Sequence, residues 1–152
     1  MSLLNPAFQA VVDGQPAEAL GATEEAIFLY RQLAARNPEA YVPGLADSLN
    51  SHALELVRAG RSHEALEACA EAVSLLRAAV GAEGDAHLPN LAVYLVDLAR
   101  ITLWSEGDVA RSVEITEEAY RYLDELAARD PRCFRGLREA VRRDQFRFAY
   151  RH

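Results

Sequence analysis

Lysine is missing from this chain: all sixteen of its basic residues are arginine, set against twenty-eight alanines. Both lysine codons are A-rich, so the bias points to a GC-rich genome. Cysteine is scarce as well. Cys69 and Cys133 stand 64 residues apart, which gives neither a disulfide framework nor metal-ligand spacing, and a reducing, cytoplasmic setting is the simplest expectation. The N-terminal MSLLNPAFQAVVDG has no basic leader, and its apolar run is too short for a signal peptide or a membrane span. No stretch alternates apolar and polar residues strictly enough for a strand, so the chain reads as all-α.

Catalytic signatures are equally sparse. The sequence has no Gly-x-Gly-x-x-Gly, no P-loop, and no Ser or Cys in a nucleophile setting. His63-Glu64 opens like a zinc-protease helix, but Glu67 stands where the second histidine would be. The four histidines are scattered singly, which suits packed or solvated imidazoles better than a metal site. The paired acids Glu24-Glu25 and Glu117-Glu118 read as solvated faces. We expect no enzyme, no cofactor and no metal.

Charge is unevenly spread. Residues 1–128 carry 8 Arg against 20 acids, a balance of -12, whereas residues 129–152 carry 8 Arg against 3 acids, a balance of +5. An acidic body argues against general nucleic-acid binding, which needs a basic footprint to displace counterions.

What is present is a repeat. From Leu45 to Leu76, apolar residues recur at three- and four-residue steps in two blocks separated by Gly60, which predicts a hairpin of two amphipathic helices. Gly60 has counterparts 46 residues earlier at Gly14 and 47 later at Gly107. The segments that follow align Leu20, Leu66 and Val113 in one column, and Ala26, Ala72 and Ala119 in another. Further columns hold Ile27, Val73 and Tyr120, then Tyr30, Leu76 and Leu123. The first helices repeat too, through Leu3, Leu49, Leu95 and Leu137, and through Ala7, Ala53, Ala99 and Gln145. Expected breaks fall near Gly14, Asn37-Pro38, Gly60, Gly81 to Gly84, Gly107 and Asp130-Pro131. They delimit helices over about Pro6 to Asp13, Pro16 to Arg36, Pro43 to Ala59, Arg61 to Val80, Pro89 to Ser105, Asp108 to Arg129 and Cys133 to Tyr150.

The run Leu49-x2-His52-Ala53-x2-Leu56, then Gly60 leading to Ala65-x3-Cys69-x2-Ala72, resembles the tetratricopeptide repeat (TPR) pattern of alternating small and large residues. Its departures are His52 where leucine is preferred, no tryptophan at the start of the first helix, and Ser112 and Thr116 in the last hairpin. The 46-residue period resembles the long-repeat arrays of bacterial regulatory proteins and of kinesin light chain. The resemblance implies a right-handed α-solenoid of antiparallel helical hairpins, with about seven helices in one domain. Repeat one would cover residues 1–40, repeat two 41–86, repeat three 87–131, and a capping helix 132–152. The opening helix is shorter than its counterparts, as expected of a segment cut from a longer protein.

In such arrays the first helix of each pair lines the concave side. The columns that would face it supply Asn50, Leu54, Arg58, Val93, Val96, Arg100, Trp104, Arg142 and Phe146 as peptide-binding candidates. Arginines beside aromatics suit a partner segment bearing carboxylates, since guanidinium pairs with them in a two-pronged manner. The expected function is therefore a protein-protein interaction module. Two other readings stand beside it: a self-associating structural segment of a larger protein, and a ligand-sensing regulatory domain. Apolar residues at both ends, Leu4, Phe8 and Val12 and then Phe146 and Tyr150, together with the opposite charges of body and tail, raise the expectation of a homodimer.

Overall fold

A computed structural model describes residues 16–83 and 85–132, with residues 136 and 139. The expected opening helix and almost all of the expected seventh lie outside the described residues. Five α-helices are described: α1 (Pro16–Arg36), α2 (Pro38–Arg58), α3 (Ser62–Glu83), α4 (Leu88–Glu106) and α5 (Val109–Arg129). A single 3-10 turn, Asp85–His87, precedes α4. No strand occurs among the described residues. The chain divides into two compact units, Met1–Gly84 and Asp85–His152. In the first, α2 packs against both α1 and α3, and in the second α4 packs against α5.

The helix ends follow from local chemistry. Asn37 alone separates α1 from α2: its extended backbone breaks the helix, and its side chain accepts from the Ala40 N–H, with Pro38 at the first helical position. The second helix was expected to start at Pro43, yet it starts at Pro38 and carries Pro43 inside. A proline one turn into a helix forfeits one hydrogen bond, and the helix begins ahead of it, at the Asn37 cap with Pro38 in the first helical position. At the other end of α2, Gly60 adopts φ 77°, the Arg61 N–H donates to Leu56 O at 2.8 Å, and the Gly60 N–H donates to Val57 O at 3.0 Å. That is a Schellman closure, which needs a residue free to enter the left-handed region. Gly107, at φ 66°, ends α4, and Asp108 caps α5 through the Arg111 N–H at 2.9 Å. The break expected over Gly81 to Gly84 falls at the far end of that range, since the helix runs on past Gly81 to Glu83. A lone glycine inside a helix costs only about 1 kcal/mol.

Burial repeats with the sequence. Leu49 and Leu95, and Ala53 and Ala99, are buried at matching points of α2 and α4. Ala26, Ala72 and Ala119 are likewise buried on the second helices. One expected column is displaced: Leu20 and Leu66 are only half-buried and Val113 is exposed, while the preceding residues Ala19, Ala65 and Ser112 are buried. Small side chains at these points let the backbones approach, and a leucine would hold them apart. The next inward column is Thr23, Cys69 and Thr116, all buried. Its hydroxyls are satisfied by carbonyls one turn back, Thr23 to Ala19 O at 3.1 Å and Thr116 to Ser112 O at 2.8 Å. Between α1 and α2 the helices approach tightly at Gly44, where a Cβ would collide with the Tyr30 ring.

Candidate functional site

The nine sequence-derived candidates are placed unevenly. In the first unit, Leu54 and Arg58 are exposed one turn apart on α2. Asn50, one turn earlier, is buried and accepts from the Cys69 thiol at 3.4 Å, so it ties α2 to α3. In the second unit, Arg100 and Trp104 form the matching surface pair on α4, with Trp104 52% exposed. Val93 is half-buried and Val96 is buried. Arg142 and Phe146 lie outside the described residues. Each hairpin thus presents one apolar side chain and one arginine at positions related by 46 residues, in opposite order: Leu54 then Arg58, Arg100 then Trp104.

Both arginines are aimed by an acid three residues earlier. Arg58 Nη1 lies 3.5 Å from Glu55, and Arg100 Nη2 lies 3.1 Å from Asp97, and both carboxylates sit on buried residues. A guanidinium carries five N–H donors, so the Glu55 contact of Arg58 orients that side chain without using all of them.

On a helix turning about 100° per residue, Leu49, His52 and Leu56 face away from Leu54 and Arg58. They floor an open groove of about 340 Å³, with Glu24, Ile27 and Arg31 of α1 along one wall and Glu64, Glu67, Ala68 and Glu71 of α3 along the other. Arg31 spans from wall to wall in a two-pronged pair with Glu71, at 2.6 and 2.9 Å. Arg61, at the head of α3, grips Glu64 in the same fashion, its Nε donating at 2.8 Å.

The floor histidine is held by its neighbour. His52 Nδ1 lies 2.7 Å from Thr23 Oγ1, which is also 3.0 Å from Leu20 O and 3.1 Å from Ala19 O. The hydroxyl has one hydrogen. When it goes to a carbonyl, Nδ1 donates to Thr23 and Nε2 is the ring's acceptor; when it goes to Nδ1, Nε2 carries the hydrogen. Burial pushes the imidazole below its ordinary pKa of 6.5; Glu24 and Glu64 oppose that shift and Arg61 reinforces it.

Sequence reading missed this groove, although part of its signal was there. Glu64, Glu67 and Glu71 follow i, i+3, i+7 spacing and so share a stripe of α3, while Glu24, Ile27 and Arg31 share one on α1. What was not legible is that the two stripes flank the same helix. Among the described residues, no group of three or more His, Cys, Asp or Glu side chains is placed to hold a metal ion. None of the described helices is long and apolar enough to cross a membrane.

No protein-family model, curated protein or solved structure matches this chain. The apolar-arginine pair of each unit and the acidic groove of the first therefore rest on their own chemistry.

Proposed function

We propose that this chain is a non-catalytic interaction module of the long-repeat TPR type. Its hairpins would stack into a right-handed solenoid, and their first helices would bind a peptide or partner-protein segment bearing carboxylates. The observation that carries the reading is the recurrence of an apolar-arginine pair at equivalent points of two hairpins, Leu54 with Arg58, both exposed, and the half-buried Arg100 with the exposed Trp104. The apolar member supplies contact area and the arginine a two-pronged grip on carboxylate, the combination that dominates protein recognition surfaces. Alanine-rich packing columns behind these pairs leave the outward positions free to vary with the partner.

Trp104 is the chain's single tryptophan, which makes the test direct. Peptides combining acidic and aromatic residues should shift its emission to the blue and shield it from acrylamide. Arg58→Ala and Arg100→Ala should each weaken that binding, by about tenfold, or 1.4 kcal/mol. Emission and quenching that stay unchanged across a library of acidic peptides would remove the reading.

A further inference from the structure

The groove on the opposite face of α2 has a charge balance its own residues leave open. Four of its lining side chains are carboxylates, Glu24, Glu64, Glu67 and Glu71. Two of them already hold a guanidinium in the two-pronged manner, Glu71 with Arg31 and Glu64 with Arg61. Glu24 and Glu67, one on each wall, form no ion pair among the described residues. With His52 held toward its neutral form by burial, the four carboxylates outnumber the two guanidinium groups paired with them; Glu24 acts at a distance on Arg61 and His52, and Glu67 stands on the opposite wall.

We infer that this groove is a second docking site, which takes an arginine-bearing segment of a partner protein. The chemistry fits at three points. An arginine's aliphatic stem can lie along the half-buried Ile27 and Ala68 of the walls while its head reaches the rim. The planar head matches carboxylate oxygens pairwise, as Arg31 and Arg61 already do on the neighbouring glutamates, whereas a lysine would offer only a point charge. The volume of about 340 Å³ accommodates one or two long side chains rather than a folded element. The site also complements the first surface in sign, so one face of α2 would read carboxylates and the other guanidinium groups.

Fluorescence anisotropy with a labelled, end-blocked peptide of alternating leucine and arginine tests it, against the same peptide with citrulline, a neutral isostere, or lysine in place of arginine. The arginine peptide should bind, and the citrulline peptide should bind at least about tenfold more weakly. Glu24→Gln with Glu67→Gln should reproduce that loss, and both positions are exposed, so circular dichroism should show the fold retained. The His52 ring proton resonances should move on titration. Arg58→Ala and Trp104→Ala should leave this binding intact, which separates it from the acidic-peptide surface. Equal affinity for the citrulline peptide, or for the doubly substituted protein, overturns the site. Equal affinity for the lysine peptide overturns the guanidinium assignment. Self-association abolished by the same two substitutions would replace the partner protein with a second copy.

Discussion

The hairpins α2–α3 and α4–α5 occupy equivalent places in the repeat, yet they reach the same packing with different chemistry. In the first, the close contacts of α3 are made by Ala65 and Cys69; in the second, Ser112 and Thr116 stand at those points, equally buried. A hydroxyl in an apolar contact is costly unless it finds a partner. Here Ser112 Oγ donates across the pair to Ala99 O at 2.8 Å and Thr116 donates back along its own helix. The first helices diverge as well. Along α2, eight of 21 residues are buried, and along α4 twelve of 19, so α4 is apolar on nearly every side and spares mainly the Arg100–Trp104 surface. The lesson is that side-chain size at the contact, more than hydrophobicity, keeps the repeat in register.

The comparison breaks first at the shared core. Leu49→Ala and Leu95→Ala remove equivalent buried side chains, 3% and 0% exposed, and each should cost about 2–5 kcal/mol. Chemical denaturation followed by circular dichroism should give similar losses for the two; a loss confined to one would deny that the 46-residue equivalence extends to packing. A smaller effect sharpens the chemical difference. Ser112→Ala restores the residue that Ala19 and Ala65 already use but strands the bond to Ala99 O, so a loss of about 0.5–1.5 kcal/mol is expected. A gain in melting temperature would mean that the hydroxyl is tolerated rather than used.

The smallest effect depends on pH and concerns the first unit alone. His52 aligns with Leu98 of the second unit, and its folded pKa lies below the ordinary 6.5. Above that value both folded and unfolded forms are neutral and stability is full. As pH falls below it, the unfolded chain takes the proton first, and stability declines until the folded pKa is passed. Burial sets most of the shift, with Glu24 and Glu64 opposing it and Arg61 reinforcing it; Arg31, Glu67 and Glu71 line the same groove. His52→Leu, which copies the second unit, should flatten the decline between neutral and mildly acidic pH. An unchanged slope would place the titration elsewhere.

Helix type, helix breaks and repeat period were legible in the sequence because they are local or periodic. Asn37, Gly60, Gly107 and Asp108 act within a few residues of themselves, and a 46-residue spacing needs only comparison of the chain with itself. The displaced column was not legible, since whether Ala65 or Leu66 points inward depends on how closely α3 approaches α2. Pro43 misled in a similar way: a proline marks a helix start only when no better cap lies just upstream. Of the candidate binding residues, Leu54, Arg58 and Trp104 are exposed and Arg100 is half-buried, whereas Asn50 is engaged with Cys69, a contact that depends on the pairing of two helices. The acidic groove was hidden for the same reason, because its walls come from helices that are not neighbours in the chain.

The one-residue joint at Asn37 bears on how the first unit assembles. Its main helix packing is between chain neighbours, α1 with α2 and α2 with α3, and the connections are as short as Asn37 alone or the turn at Gly60. Hardly any loop-closure entropy opposes such pairings. Contact order is correspondingly low, the regime in which helical proteins fold in microseconds to milliseconds. The Arg31–Glu71 pair, bridging 40 residues of sequence, is then free to form last, after the floor between them has been laid by α2.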